Sequence, residues 1–246
     1  MTRVVFIENK WQEKVELNKK VIDYLVKNKI KSIALFASIQ FTNVDEILKQ
    51  LKELNINVLV TKAKRADKLI QILGCDCYSD CFKEDIISEA DLTIYIGDGL
   101  FHPKALLLSQ IKSQEIKPIL AYNPISQTMN ILDKKEIEKQ INKIKRNLKL
   151  YFNAKTIGIL VSVKFGQQFL QKALDLKNHL KSQGKNVYIF IEDSINPNEF
   201  ENFNFIDAWV NSACPRIATD DILNINKPLI NIKDAFNPLE VLDELK

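Results

Sequence analysis

Residues 31–41 read Lys31-Ser-Ile-Ala-Leu-Phe-Ala-Ser38-Ile-Gln40-Phe41, and residues 155–165 read Lys155-Thr-Ile-Gly-Ile-Leu-Val-Ser162-Val-Lys164-Phe165. The two align without a gap: a lysine, an apolar run of strand length, a serine at the same point and a closing phenylalanine. A continuous apolar run bounded by polar residues is what a strand needs when helices cover both faces of a parallel sheet. Each run leads into an amphipathic helix and a further strand. The pattern predicts an α/β fold with two similar, duplicated domains, each a small parallel sheet flanked by helices.

Working outward, apolar runs at residues 4–7, 58–60, 92–96 and 118–121 add strands to the first copy, and runs at 187–191 and 208–210 add strands to the second. Leu17, Val21, Tyr24 and Leu25 share one helical face, and Val44, Ile47, Leu48 and Leu51 share another after a Thr42-Asn43 start signal. Phe169, Ala173, Leu176 and Leu180 make a third, stopped at Gly184. The boundary is expected near residue 150, giving domains at 1–150 and 151–246. In such sheets ligands bind beyond the carboxyl ends of strands. Ser38 and residues 97–99, 162–167 and 211–215 are expected there.

The chain has 246 residues, 46% of them hydrophobic and 27% charged, so it can bury a sizeable core and wholesale disorder is excluded. No apolar run approaches the roughly 20 residues that cross a bilayer. The N-terminal apolar stretch is too short for a signal-peptide core and is followed directly by a charge. A soluble, cytoplasmic protein is expected. The net charge is +4, yet residues 134–149 alone hold seven basic and two acidic residues. Within that segment Ile137, Ile141, Ile144 and Leu148 follow helical spacing, which puts the cations on the opposite, solvated face. Contact with RNA or an acidic protein surface is the functional alternative to that plain reading.

Of four cysteines, Cys75, Cys77 and Cys81 fall within seven residues, and Cys214 stands alone in a turn between Ala213 and Pro215. This is no secreted disulfide framework, and in a reducing compartment it points to metal or redox chemistry. The spacings do not make a zinc knuckle. Cys77 and Cys81 match the opening of a C-x3-C-x2-C motif, but Glu84 occupies its third place. A lone buried cysteine is usually a small core hydrophobe, and the turn at Cys214 weakens that reading for it. Gly166 is expected to open a helix whose amides, with Lys164, hold an anion. Asp98 and His102 share one loop, where His102 serves either a turn hydrogen bond or a ligand. The residues alone lead to a duplicated α/β protein with a possible thiolate cluster and a small polar ligand.

Five segments, read in order, resemble the diphthamide synthase family: Ile72-Leu-Gly-Cys75-Asp, Ile96-Gly-Asp98-Gly-Leu-Phe-His102-Pro, Tyr122-Asn-Pro124, Gly158-Ile-Leu-Val-Ser162-Val-Lys164-Phe-Gly166-Gln167 and Asn211-Ser-Ala-Cys214-Pro-Arg216-Ile-Ala-Thr-Asp220-Asp221. That resemblance implies a transferase with three similar domains, each giving one cysteine to a [4Fe-4S] cluster that binds S-adenosylmethionine. It implies cleavage of that co-substrate by non-classical radical chemistry and transfer of the 3-amino-3-carboxypropyl group to a histidine of translation elongation factor 2. Cys75 and Cys214 match two of the ligand cysteines. Ser162, Lys164, Gly166 and Gln167, with Asp98 and His102, match positions near S-adenosylmethionine. Arg216, Asp220 and Asp221 belong to the final cysteine motif, where Arg216 is expected to neutralise a cluster or a substrate carboxylate.

By the same resemblance the chain begins at the family's middle domain. Three arrangements follow for the third ligand. A separate polypeptide supplies the first domain; Cys81 or Cys77 substitutes, with Cys81 the better candidate on a turn; or the chain is a non-catalytic partner. A small-molecule-binding α/β protein without radical chemistry is the reading from a different class. A homo- or hetero-oligomer and an electron donor are the implied partners, with neither membrane nor nucleic acid expected.

Overall fold

The computed structural model describes residues 10–66, 68–74, 76–78, 81–164 and 166–245. Cys75, Phe165 and the strand expected at residues 4–7 lie outside the described residues. The chain divides into two compact units, Met1–Glu136 and Ile137–Lys246.

The first unit runs α1 (Lys19–Lys27), β1 (Ser32–Ala37), α2 (Asp45–Glu53), β2 (Asn57–Leu59), α3 (Ile86–Glu89), β3 (Leu92–Ile96), α4 (Phe101–Leu108), β4 (Ile119–Asn123) and β5 (Thr128–Leu132). Its sheet has the order β2-β1-β3-β4-β5, parallel through the first four strands and closed by antiparallel β5. Alternation along β1 sends Ile33, Leu35 and Ala37 into a core with Val21 and Leu25 of α1 and Ile47 and Leu51 of α2. Phe36 points the other way and meets Phe82 at 5.2 Å between ring centroids. Helix α2 starts one residue past the expected signal, with Val44 at its N-cap. Two elements escaped the sequence reading. Helix α4 buries Ala105, Leu106, Leu107 and Leu108 in succession and so shows no polar stripe. Strand β5 is mostly exposed and too polar to read as a buried run.

The second unit runs α5 (Glu138–Asn153), β6 (Thr156–Ser162), α6 (Leu170–Ser182), β7 (Asn186–Glu192), β8 (Ala208–Asn211), β9 (Leu229–Asn231), α7 (Ile232–Ala235) and α8 (Pro238–Glu244). Its four strands are all parallel in the order β7-β6-β8-β9, the same order as the parallel strands of the first unit. The basic helix α5 belongs to this unit: Asn147 Nδ2 donates to the Leu229 carbonyl at 3.0 Å, and the Tyr151 hydroxyl donates to Ala235 O at 2.9 Å. The division therefore falls between Glu136 and Ile137, ahead of the expected position near 150. Gly158 is required by packing, because a Cβ there would stand 2.6 Å from Trp209 ring atoms. Trp209 is buried and stacks on Phe200 with centroids 4.6 Å apart.

The duplication extends to hydrogen bonds that the aligned strands do not reveal. One carboxylate oxygen of Asp91, just before β3, accepts from the backbone amides of Lys31 and Ser32, both at 2.9 Å. Asp207, just before β8, accepts from Lys155 and Thr156 at 3.0 and 2.8 Å. Lys117 precedes β4 and donates to the carbonyls of Ser88 and Ala90; Lys227 precedes β9 and donates to those of Phe203 and Ile206. Each sheet is thus pinned at its amino edge by an aspartate and a lysine. Among the described residues no helix is long and apolar enough to cross a membrane.

Candidate functional site

With the amino edges occupied by these anchors, the carboxyl edges are left to the candidate residues. In both sheets the first strand lies between the second and third, so the topological switch falls between β1 and β3 and between β6 and β8.

In the second unit Ser162 ends β6, 3% exposed, and its Oγ accepts from the Lys164 amide at 3.1 Å. Lys164 Nζ reaches Ser194 Oγ at 3.4 Å. Gly166 does not open the helix as expected. It has φ +75° in a turn where the Gln167 amide donates to Lys164 O at 3.0 Å, and α6 begins only at Leu170 with Phe169 as its N-cap. A left-handed residue interrupts a right-handed helix, so Gly166 serves the turn and the α6 amides do not begin there.

Beyond β8, Asn211 and Asn231 are register partners on adjacent strands. Asn211 Nδ2 donates to Asn231 Oδ1 at 2.9 Å and to the Cys214 carbonyl at 2.8 Å, while its Oδ1 accepts from the Ala213 amide. Asn231 Nδ2 donates to Pro215 O at 3.0 Å. Cys214 itself is half-buried, extended at φ −61° and ψ 122°, and caps a short 3-10 turn over Pro215–Ala218. Arg216 is buried and places Nε and Nη2 on the two carboxylate oxygens of Asp220, the Nη2 bond being 2.8 Å. Its fork faces a residue of its own loop. Partial burial and the neighbouring Asp220 charge hold the Asp221 carboxyl above its ordinary value, against the pull of Arg216.

In the first unit, residues 70–72 run beside the end of β1: the Ala37 amide donates to Ile70 O at 2.8 Å, and the Ile72 amide to Ala37 O at 3.1 Å. This brings Asp76 and Cys77 to the carboxyl edge. Asp76 is fully buried; its Oδ2 accepts from the Arg65 amide at 2.7 Å, and its Oδ1 lies 3.3 Å from Arg65 Nε. Cys77 is also fully buried, and its thiol donates to the Leu73 carbonyl at 3.2 Å. Full burial and this contact pack Cys77 as a small core residue, whereas Cys81 is partly exposed.

His102 lies inside the first turn of α4 rather than on a loop. Its Nδ1 is 3.0 Å from the Tyr95 hydroxyl, and the two rings stack with centroids 5.5 Å apart. Tyr95 packs so closely over the following turn that a Cβ on Gly97 would stand 2.4 Å from its oxygen. Burial, above all, pushes the Tyr95 phenol far above its usual value, against the Ser38 side chain, which pulls it down. Exposed Asp98 is held through Oδ1 by Asn123 Nδ2 at 2.9 Å. Sequence reasoning passed over Tyr95 and Asn231, and it gave no role to Asn123 within Tyr122-Asn-Pro124. A usable signal exists for the two asparagines: each closes an apolar run that follows a Lys-Pro pair, Lys117-Pro118 or Lys227-Pro228.

Two sheets whose parallel strands share one order, each carrying its candidate loops at one edge, define a duplicated α/β class. Within it the chain belongs to the diphthamide synthesis protein family, whose pattern matches residues 1–244. It is 32% identical over 209 residues to 2-(3-amino-3-carboxypropyl)histidine synthase subunit 1 of Yarrowia lipolytica, covering 83% of this chain and 44% of that protein. It is 29% identical over 227 residues to the 2-(3-amino-3-carboxypropyl)histidine synthase of Methanocaldococcus jannaschii, covering 91% of this chain and 56% of that one. The crystal structure of Dph2 from Pyrococcus horikoshii is similar with a TM-score of 0.66 at 26% identity, over 92% of this chain and 61% of that one. A second structure of Dph2, with a 4Fe-4S cluster, gives 0.65. The chain spans about half the length of the curated relatives it matches.

The fit to an iron-sulfur cluster is tested at the thiols. Cys214 suits a thiolate ligand: it is only partly buried, follows a strand end, and has a backbone held before it at the Ala213 amide and after it at the Cys214 and Pro215 carbonyls. Cys77 does not, for the reason given above. Among the described residues no three His, Cys, Asp or Glu side chains gather as a metal-ion site.

Proposed function

We propose that this chain forms part of a 2-(3-amino-3-carboxypropyl)histidine synthase of the cytoplasm. In this reading Cys214 and Cys75 are thiolate ligands of a [4Fe-4S] cluster, S-adenosylmethionine is the co-substrate, and a histidine of translation elongation factor 2 receives the 3-amino-3-carboxypropyl group. The third thiolate comes from Cys81 or from outside residues 1–246. The observation that carries the proposal is the Cys214 loop, a half-buried cysteine at the carboxyl edge of the sheet, supported by the family match over nearly the whole chain.

Such a cluster, when bound, supplies one electron from an external donor to cleave the co-substrate. The remaining roles fall to side chains. Ser162 shapes the turn after β6 by accepting from the Lys164 amide. Lys164 and Gln167 bind the polar groups of the co-substrate. Arg216, paired with Asp220, stiffens the thiol loop. Asp98 and His102 form a second polar edge in the first unit, ordered by Asn123 and Tyr95.

The test is anaerobic reconstitution with iron and sulfide, alone and with a candidate first-domain polypeptide. Brown protein that retains iron, lost in Cys214→Ala and in Cys75→Ala, is the expected result. Colourless protein under both conditions, with Cys214→Ala behaving as the parent, would overturn the proposal. Binding of S-adenosylmethionine without iron would then favour a small-molecule-binding protein built on the same fold.

A further inference from the structure

We infer that Asn231 is a positioning residue that holds the Cys214 thiol in place, acting with Asn211 as a latch across the ends of β8 and β9. The two side chains stand at the last register position of adjacent parallel strands, so they project to the same side and meet. Asn211 spends both amide hydrogens and its carbonyl oxygen: on Asn231 Oδ1, on Cys214 O and on the Ala213 amide. Asn231 returns a hydrogen to Pro215 O. The carbonyls of Cys214 and of the next residue are therefore each held by an amide, and the amide of the preceding residue is held as well. A cysteine whose backbone is fixed on both sides has its Cα–Cβ direction fixed too, leaving one rotation to set its sulfur.

The first unit repeats the device. Asn123 ends β4 as Asn231 ends β9, and its Nδ2 also crosses to the loop after the third strand, there to Asp98. A fourth strand ending in an asparagine that grips the loop after the third strand is thus a property of the module. In the second unit the gripped loop carries the thiol. Asn211 is 1% exposed, and asparagine at this depth is costly unless its hydrogen bonds are made, which fits a residue retained for geometry rather than solubility.

This inference rests on the proposed ligand role of Cys214 for its purpose, though not for its test. In the full chain without metal, the rate of iodoacetamide labelling of Cys214, followed on its own peptide by mass spectrometry, should rise about tenfold in Asn231→Ala. Tyr151→Phe removes a buried hydrogen bond elsewhere in the same unit and should leave that rate within about twofold of the parent. If Asn231→Ala lacks a cooperative unfolding transition, the isosteric Asn231→Asp takes its place; it keeps the acceptor for Asn211 but cannot donate to Pro215, and the same limits apply. Equal labelling in the parent and the Asn231 variant, or an equal rise in Tyr151→Phe, overturns the inference. After reconstitution, the electron paramagnetic resonance signal of the reduced cluster should broaden or shift in the Asn231 variant and stay unchanged in Tyr151→Phe. A parent that holds no iron, with labelling as expected, removes the cluster and leaves the latch.

Discussion

Arg216 and Asp220, four residues apart, are joined by a two-pronged ion pair in which Nε and Nη2 of the guanidinium each meet one carboxylate oxygen. The arginine side chain is 5% exposed and the aspartate 17%, so solvent screens the pair little. Removing one partner leaves a buried charge without its counter-charge, which costs more than the pair itself contributes. Asp220→Asn should therefore destabilise the second unit by about 3 kcal/mol. Urea unfolding measures it, and a change below about 1 kcal/mol would show that the arginine is satisfied in another way.

Two glycines of the same unit should respond differently to alanine. At Gly158 the new methyl meets Trp209 inside a packed sheet, and overpacking of this kind costs about 1–3 kcal/mol. At Gly166 no atom of a described residue other than its chain neighbours lies within 4 Å of an added Cβ, so the left-handed backbone is the main resistance, at roughly 1–2 kcal/mol. The shape of the effect separates them. Gly158→Ala should also alter the near-ultraviolet signal of Trp209, and Gly166→Ala should not.

The anchor at Asp91 gives a pH dependence of defined sign. Backbone hydrogen bonds from Lys31 and Ser32 hold its carboxyl below the ordinary value in the folded chain. A depressed folded pKa means that its stabilisation is complete above the unfolded value, about 3.9, and is lost as the pH falls through the lower folded value. At neutral pH Asp91→Asn should be less stable than the parent. Below about pH 4 the difference should shrink as the parent carboxyl takes up its proton. Thermal melts of both proteins from neutral to acidic pH test this, and a constant gap would contradict it.

Cys77 and Cys81 should part company under substitution. Cys77→Ala removes a fully buried thiol bonded to Leu73 O, so it should lower stability by about 1 kcal/mol and leave any bound iron in place. Cys81→Ala should be nearly neutral for stability, and loss of iron in that variant would identify Cys81 as the third ligand. Iron content and unfolding midpoints of the reconstituted variants decide the matter.

The buried strands were legible because their apolar runs are continuous: residues 33–37, 92–96 and 157–161 all lie within observed strands. Helix α4 was not, since four consecutive buried residues, Ala105 to Leu108, carry no periodic contrast. Nor was β5, whose edge position leaves it polar. The Cys214 turn could be read from Ala213-Cys214-Pro215, but its support comes from Asn231, distant in sequence and adjacent only through parallel pairing. The same limit hid Tyr95, which reads as a strand residue while its hydroxyl orders His102. Arg216 and Asp220 were both read as members of the final cysteine motif, but not as partners of each other.

The aspartate and lysine anchors have a consequence for how such a module can change over time. Because each unit secures its strands at one rim through backbone groups, the opposite rim is relieved of holding the sheet together. Loops there are open to lengthening, shortening or exchange of side chains while the frame persists. Two copies of one ancestral frame can thus diverge in chemistry, one towards an Asp-His edge and the other towards a thiol edge, without renegotiating how either folds.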